Sequence, residues 1–243
     1  MSENTRAVEG GPLPGVLPLI AERRSPSVFD PAHELSDGDV AVLLDAARWA
    51  PSWGNTQPVA FLVGRRRGGE WDEIYASVVA TLSRGNRRWV PAASALVVTL
   101  EQVAALPGDR KPLRDDRLVL HDVGQAVAYL TLQAHSMGLA VHQFAGFDAE
   151  ALAGVIGLEP QWRVAGALAV GRAWPVAERD EDAPALTTVR ERVPEYDLAG
   201  NAEREGKPRR RRASPGALTR PADATSPGGA LDAGSTSGAP DAP

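Results

Sequence analysis

The chain has 243 residues, 43% hydrophobic and 23% charged, which suits one globular domain or at most two. A formal net charge of −5 is too mild to point to nucleic acid or a membrane surface as the main partner. The absence of cysteine excludes disulfides, thiolate nucleophiles, zinc–sulfur sites and iron–sulfur clusters. No apolar run reaches ~18 residues, and residues 1–15 lack a charged-then-apolar leader, so a cytoplasmic protein without a membrane span is expected.

Residues 1–15 read as a flexible N-terminus and 16–199 as the folded body. Residues 16–23 look like a short helix, which Pro26 discourages from continuing. Ser36-Asp37-Gly38-Asp39 is a capping-box-like start, followed by Val40, Leu43, Leu44 and Ala47 at helical spacing. Residues 50–58 form a loop by their Pro, Gly and Asn content, and 59–63 a strand. Trp71, Ile74, Tyr75, Val78, Val79 and Leu82 make a second helical stripe, and 93–100 reads as a buried strand. Residues 116–137 are apolar on most faces, which predicts a central buried helix ending at Gly138. A strand over 139–144 follows, then a helix capped by Asp148 and closed by Gly157. Residues 164–170 are the last clear strand.

The segment 200–243 is unlike the rest. No aromatic residue follows Tyr196, and 201–243 holds six prolines and six glycines. Such a segment buries too little to offset an ordering cost of ~1–2 kcal/mol per residue, so it reads as disordered. Its basic run over 207–212 reads as solvated charge, because no aromatic lies nearby to stack on bases. Helices and strands mix without βαβ repetition, so the expected fold is α+β, a mixed central sheet flanked by helices.

The four histidines are scattered without metal-ligand spacing, and Gly-x-Ser-x-Gly, the P-loop and a Rossmann glycine motif are all absent. Three polar groups remain. Arg23-Arg24-Ser25 pairs two guanidiniums with a hydroxyl, a set that suits a phosphate or an ordinary exposed helix end. Ser52, Asn55 and Gln57 stand on the 50–58 loop. Their carboxamides match the alternating imide edge of a heterocycle, or bond the loop's own backbone. Ala145 and Gly146 lie where a strand passes into a helix. Small residues there let backbone N–H groups approach a ligand, or simply make the turn.

In this order and spacing the residues resemble the FMN-dependent nitroreductase family, over about residues 17–198. The stretch Arg23-Arg24-Ser25-Pro26-Ser27-Val28-Phe29 is similar to the family's Arg-Arg-Ser-x-Arg-x-Phe signature. Ala50-Pro51-Ser52-Trp53-Gly54-Asn55-Thr56-Gln57-Pro58 is similar to its Ala-Pro-Ser-x-x-Asn-x-Gln-Pro signature. His121-Asp122-Val123-Gly124 resembles the start of its central helix, 165–171 its last core strand, and Arg190-Glu191-Arg192-Val193-Pro194 its basic pair before a proline.

The resemblance implies an interlocked homodimer with FMN at the subunit interface and no membrane or nucleic-acid partner. It implies that NADH or NADPH reduces the flavin by hydride transfer to N5. A nitroaromatic, quinone or activated alkene then takes the electrons by ping-pong exchange, with no catalytic side chain. By the same resemblance Arg23, Arg24 and Ser25 hold the phosphate and ribityl chain, and Arg190 and Arg192 add charge there. Ser52, Asn55 and Gln57 reach the flavin from the partner subunit, and Ala145 and Gly146 offer N–H groups near N5. Ser27 departs from the signature, since the family usually has Arg or Lys there. The short span between Val63 and Ala93 implies a short lid. A specialised flavin-dependent dehydrogenase or oxidase, a deazaflavin enzyme, or a flavin-binding protein without turnover remain alternatives within the resemblance.

Overall fold

A computed structural model describes residues 15–109 and 115–174. The expected N-terminal segment up to residue 14, Arg190, Arg192 and the 200–243 tail lie outside the described residues. In chain order the elements are α1 (Pro18–Ala21), α2 (Asp37–Arg48), β1 (Val59–Arg67), β2 (Glu70–Trp71), α3 (Glu73–Thr81), β3 (Ala95–Gln102), α4 (Asp116–Ser136), β4 (Ala140–Phe144), α5 (Ala149–Val155) and β5 (Trp162–Gly171).

Local chemistry explains where the helices begin. Ser36 and Asp39 form a reciprocal capping box at α2, each satisfying a backbone N–H of the other's turn. Asp72, Asp115 and Asp148 cap α3, α4 and α5, accepting from the N–H groups of Tyr75, Arg117 and Ala151. Each such cap is worth ~1 kcal/mol.

The five strands lie in the order β2-β1-β3-β5-β4. All four described pairings are antiparallel, which corrects the expected mixed sheet. The connection β3–α4–β4 does place two strands in the same direction, as an α/β crossover does. They are not neighbours, because β5 occupies the slot between them and runs against both.

Strand β3 is the axis of the molecule, with all eight of its residues buried. Its alternating side chains divide two cores. Ala95 and Val97 face an aliphatic core with Leu43 and Ala47 of α2 and Val123, Ala126, Leu130 and Ala134 of α4. Leu96, Val98 and Leu100 face an aromatic-rich core with Phe29, Tyr75, Trp89, Phe144 and Leu152. Tyr75 is fully buried, and its hydroxyl donates to the Ala93 carbonyl at 2.8 Å. Gly64 lets α3 start directly on β1, since a Cβ there would lie 2.3 Å from the Tyr75 nitrogen.

Several boundaries differ from the sequence reading: α1 is shorter than 16–23, β3 spans Ala95–Gln102 rather than 93–100, and β5 starts at Trp162 rather than 164. Two further differences have clear side-chain causes. β1 runs to Arg67 rather than ending near 63, because its arginines are anchored. Arg65 and Arg67 pair with Asp37, and Arg66 donates to the Pro31 and His33 carbonyls. Trp71 belongs to β2, opposite Arg66, so α3 starts two residues later. Helix α4 is buried on one face only. Leu118 and Tyr129 on one flank of the buried stripe and Leu120 on the other are exposed, whereas burial on most faces was expected.

Candidate active site

The loop 52–57 is a strained polar turn held from below. The Ser52 hydroxyl accepts the Gln57 N–H at 3.0 Å. The Gln57 carboxamide donates to Asn55 Oδ1 at 3.1 Å. The second sequence reading holds here, as the polar side chains bond one another and the loop backbone. Gly54, Asn55 and Gln57 all have left-handed backbones, with φ of 56°, 58° and 50°. For a residue with a Cβ this costs roughly 1–2 kcal/mol; Asn tolerates it, and Gln has no such excuse. Strain of this kind persists only where the surroundings impose it.

Asp122 of α4 supplies that constraint. Its Oδ2 accepts the Trp53 N–H at 2.8 Å, while Oδ1 faces His121 Nδ1 at 3.1 Å. Asp122 is only 4% exposed, so its oxygens need these hydrogen-bond partners. Ala47, Arg48, Ser52, Gln57, Phe61 and Asp122 line a pocket of about 180 Å³ between α2, the loop, β1 and α4.

Arg23, Arg24 and Ser25 follow the short helix α1. Arg23 Nη1 donates to the Ser25 hydroxyl at 3.0 Å, and Arg24 Nη1 turns back to the Ala21 carbonyl at 2.6 Å. The chain then meets β4. His142 Nδ1 lies 3.0 Å from the Pro26 carbonyl and 3.4 Å from the Ser27 hydroxyl, and the Trp89 ring stacks 4.3 Å from its own. Ser27 is thus buried against the sheet, at the position where the expected signature has a cation.

Ala145 and Gly146 follow the end of β4. The Gly146 carbonyl accepts from the Ser83 N–H at 2.9 Å and from the Asn86 carboxamide at 3.1 Å. A Cβ on Gly146 would sit 2.5 Å from Asn86 Nδ2. The close approach that this glycine permits is made by the protein's own 83–86 loop. Asp148 caps the next helix, as read from the sequence.

Strand register relates the three groups. Val59 pairs with Glu101, and Phe144 pairs with Ala167 opposite Val98, so the start of β1 and the end of β4 share one end of the sheet. They are three strand steps apart, ~14 Å. The Arg23–Ser25 segment leads into the β4 edge at His142. Within the chain, Ser52 and Gln57 line the pocket, while Arg23, Arg24, Ser25, Ala145 and Gly146 lie on the β4 side. Among the described residues, no group of three or more His, Asp or Glu side chains could hold a metal ion.

The sequence profile of the nitroreductase family matches residues 20–172, which takes in all three groups. The chain belongs to the nitroreductase family. It is an oxidoreductase-family chain whose architecture recurs in solved structures. A crystal structure of an oxidoreductase containing FMN is 27% identical at a TM-score of 0.66, covering 85% of this chain and 100% of that one. A Desulfovibrio desulfuricans protein solved in complex with FMN is 25% identical at a TM-score of 0.54, covering 68% of this chain and 95% of the other. A curated relative in Mycolicibacterium smegmatis, an uncharacterized 15.4 kDa protein in the ask 5′ region, is 40% identical over 94 residues. That match spans 37% of this chain and 59% of the relative, less than two thirds of its length. No helix among the described residues is long and apolar enough to cross a membrane.

For this nitroreductase-family chain, the residue that site prediction missed is Asp122. Its signal was present: a carboxylate set among Val119, Val123 and Ala126, on the buried face of an amphipathic helix. An acid in such a position must find a donor. What no local pattern reveals is that the donor is the backbone of a loop 69 positions earlier.

Proposed function

We propose that the chain is an FMN-dependent oxidoreductase that takes electrons from NADH or NADPH and passes them to a nitroaromatic, quinone-like or activated-alkene acceptor. The observation that carries this reading is the strained Ser52–Gln57 loop, locked by a buried carboxylate, in a chain that also presents the Arg23-Arg24-Ser25 set.

The donor set suits FMN. Two adjacent guanidiniums and a hydroxyl match a phosphate, which Arg can bind through two parallel hydrogen bonds. Arg190 and Arg192, outside the described residues, would add charge there by family resemblance. The carboxamides of Asn55 and Gln57 present donors and acceptors together, as an imide edge requires. The backbone N–H groups of Ala145 and Gly146 would serve the ring from the β4 side. When bound, FMN supplies the two-electron hydride chemistry. The protein's part is to bind and orient. Asp122 acts as a positioning residue, since its oxygens are engaged by the Trp53 N–H, His121 and Gln125.

The same reading calls for a homodimer. The pocket loop and the β4 groups stand apart within one protomer, so a second copy would bring one loop to the other's β4 edge. Exposed apolar side chains occur where such a copy would pack: Ile20 on α1, Trp49 at the end of α2, and Leu118, Leu120 and Tyr129 on α4.

The purified full chain is expected to be yellow and to bleach anaerobically with NADH or NADPH. Arg23→Ala and Asn55→Ala are each expected to weaken flavin retention. Unchanged FMN affinity in both variants would overturn the site assignment. A bound flavin that neither nucleotide reduces would overturn the donor.

A further inference from the structure

The loop over 82–89 is built more firmly than its exposure suggests. The Ser83 N–H and Asn86 carboxamide both hold the Gly146 carbonyl, and Asn86 Oδ1 accepts the Trp89 indole N–H at 3.2 Å. Leu82 bridges to Phe147, and the Asp148 N–H donates to the Thr81 carbonyl. The loop is thereby fixed beside the residues proposed to face the flavin ring.

It carries Arg84, Arg87 and Arg88, all exposed. Arg87 is steadied through Nε, which donates to the Leu82 carbonyl at 2.8 Å. Arg84 and Arg88 make no hydrogen bond or ion pair with any described residue. Three other exposed arginines are neutralised: Arg48 by Asp45, Arg67 by Asp37, and Arg163 by Glu101. Here no neutralising partner is close in sequence, because residues 74–100 contain no Asp or Glu at all. Asp148, where the chain passes the loop, spends its carboxylate on the cap of α5. Three guanidiniums within five residues, in a chain of net charge −5, form a local positive field at one edge of the site.

We propose that Arg84, Arg87 and Arg88 form a cationic rim that receives the anionic group of a small reactant arriving at Gly146, whether a phosphate or a carboxylate. The rim rests on the flavin reading above and adds the charge of the reactant to it. Planar guanidiniums bind either group through paired N–H donors, and a docked loop holds them in place without further ordering.

The test titrates the full chain and an R84Q/R88Q variant by calorimetry with two redox-inert or slowly reacting probes. Adenosine 2′,5′-bisphosphate represents a phosphate-bearing donor, and 4-nitrobenzoate a carboxylate-bearing acceptor. The rim is supported if the variant weakens at least one of them roughly tenfold, with the difference shrinking at high salt and R84K/R88K retaining most of the affinity. Weakening of the bisphosphate assigns the rim to the electron donor, and weakening of the nitrobenzoate to the acceptor. Equal affinities in variant and wild type for both probes overturn it. The flavin spectrum of the same samples separates the two ideas. A colourless wild type defeats the flavin reading, whereas a yellow variant with unmoved affinities defeats the rim alone.

Discussion

The two faces of the sheet are finished differently. On the α3–α5 side the core is aromatic and closes within the chain, with Trp89 sandwiched among Phe29, His142 and Phe144. On the α2–α4 side the core is aliphatic, and its covering helices turn further apolar side chains outward. The aromatic side thus provides a rigid base for Gly146 and the 83–88 loop. The aliphatic side provides the pocket loop and an outer surface that one copy of the chain leaves uncovered. Stability and assembly are therefore expected to separate by face.

The sharpest test is Tyr75→Ala, which empties a fully buried aromatic position and strands the Ala93 carbonyl. It should cost about 3–5 kcal/mol in denaturant unfolding, with no change in subunit number. Next is Asp122→Ala, which leaves the Trp53 N–H without its acceptor and frees the strained loop. A loss of about 1–3 kcal/mol is expected, accompanied by weaker flavin retention. A destabilised variant that holds FMN as tightly as wild type would show that the loop does not serve the cofactor.

A smaller effect concerns pH. His33 donates to Ser94 at the start of β3, and burial, then the nearby Arg172, hold its pKa below the ordinary 6.5. The folded state therefore prefers neutral imidazole. Its contribution is complete above pH 6.5 and is lost as pH falls from there through the lowered value. His33→Gln should flatten that part of the pH–stability curve. The smallest effect on the protomer is expected from Tyr129→Glu on the outer face of α4, within about 0.5 kcal/mol. Size-exclusion chromatography should nevertheless show dissociated subunits. An unchanged elution volume would count against a dimer formed through this face.

Much of this was legible in the sequence, for identifiable reasons. The caps at Ser36 and Asp148 and the run that became β3 are local signals; the structure places the caps as read and β3 two residues further on. The pairing of strands is not local, so the antiparallel insertion of β5 could not be read from composition. Arg65-Arg66-Arg67 hid the end of β1, because its charges are satisfied by Asp37 and by two carbonyls distant in sequence. The uncovered face of α4 was misread because its outer residues are also apolar, which blurs the amphipathic stripe. Asn55 in a left-handed turn is unsurprising beside Gly54. Gln57 in the same region becomes intelligible only with Asp122 beneath the loop.

The insertion of β5 also has a consequence for biogenesis. Synthesis proceeds from the N-terminus, so β3 and β4 exist before the strand that belongs between them. Until residues 162–171 leave the ribosome, β3, whose every residue is buried in the finished fold, has a bare edge, open to pairing with another nascent chain. Mutations that slow the docking of this last strand should therefore lower the soluble yield in cells even when the finished enzyme is as stable as before.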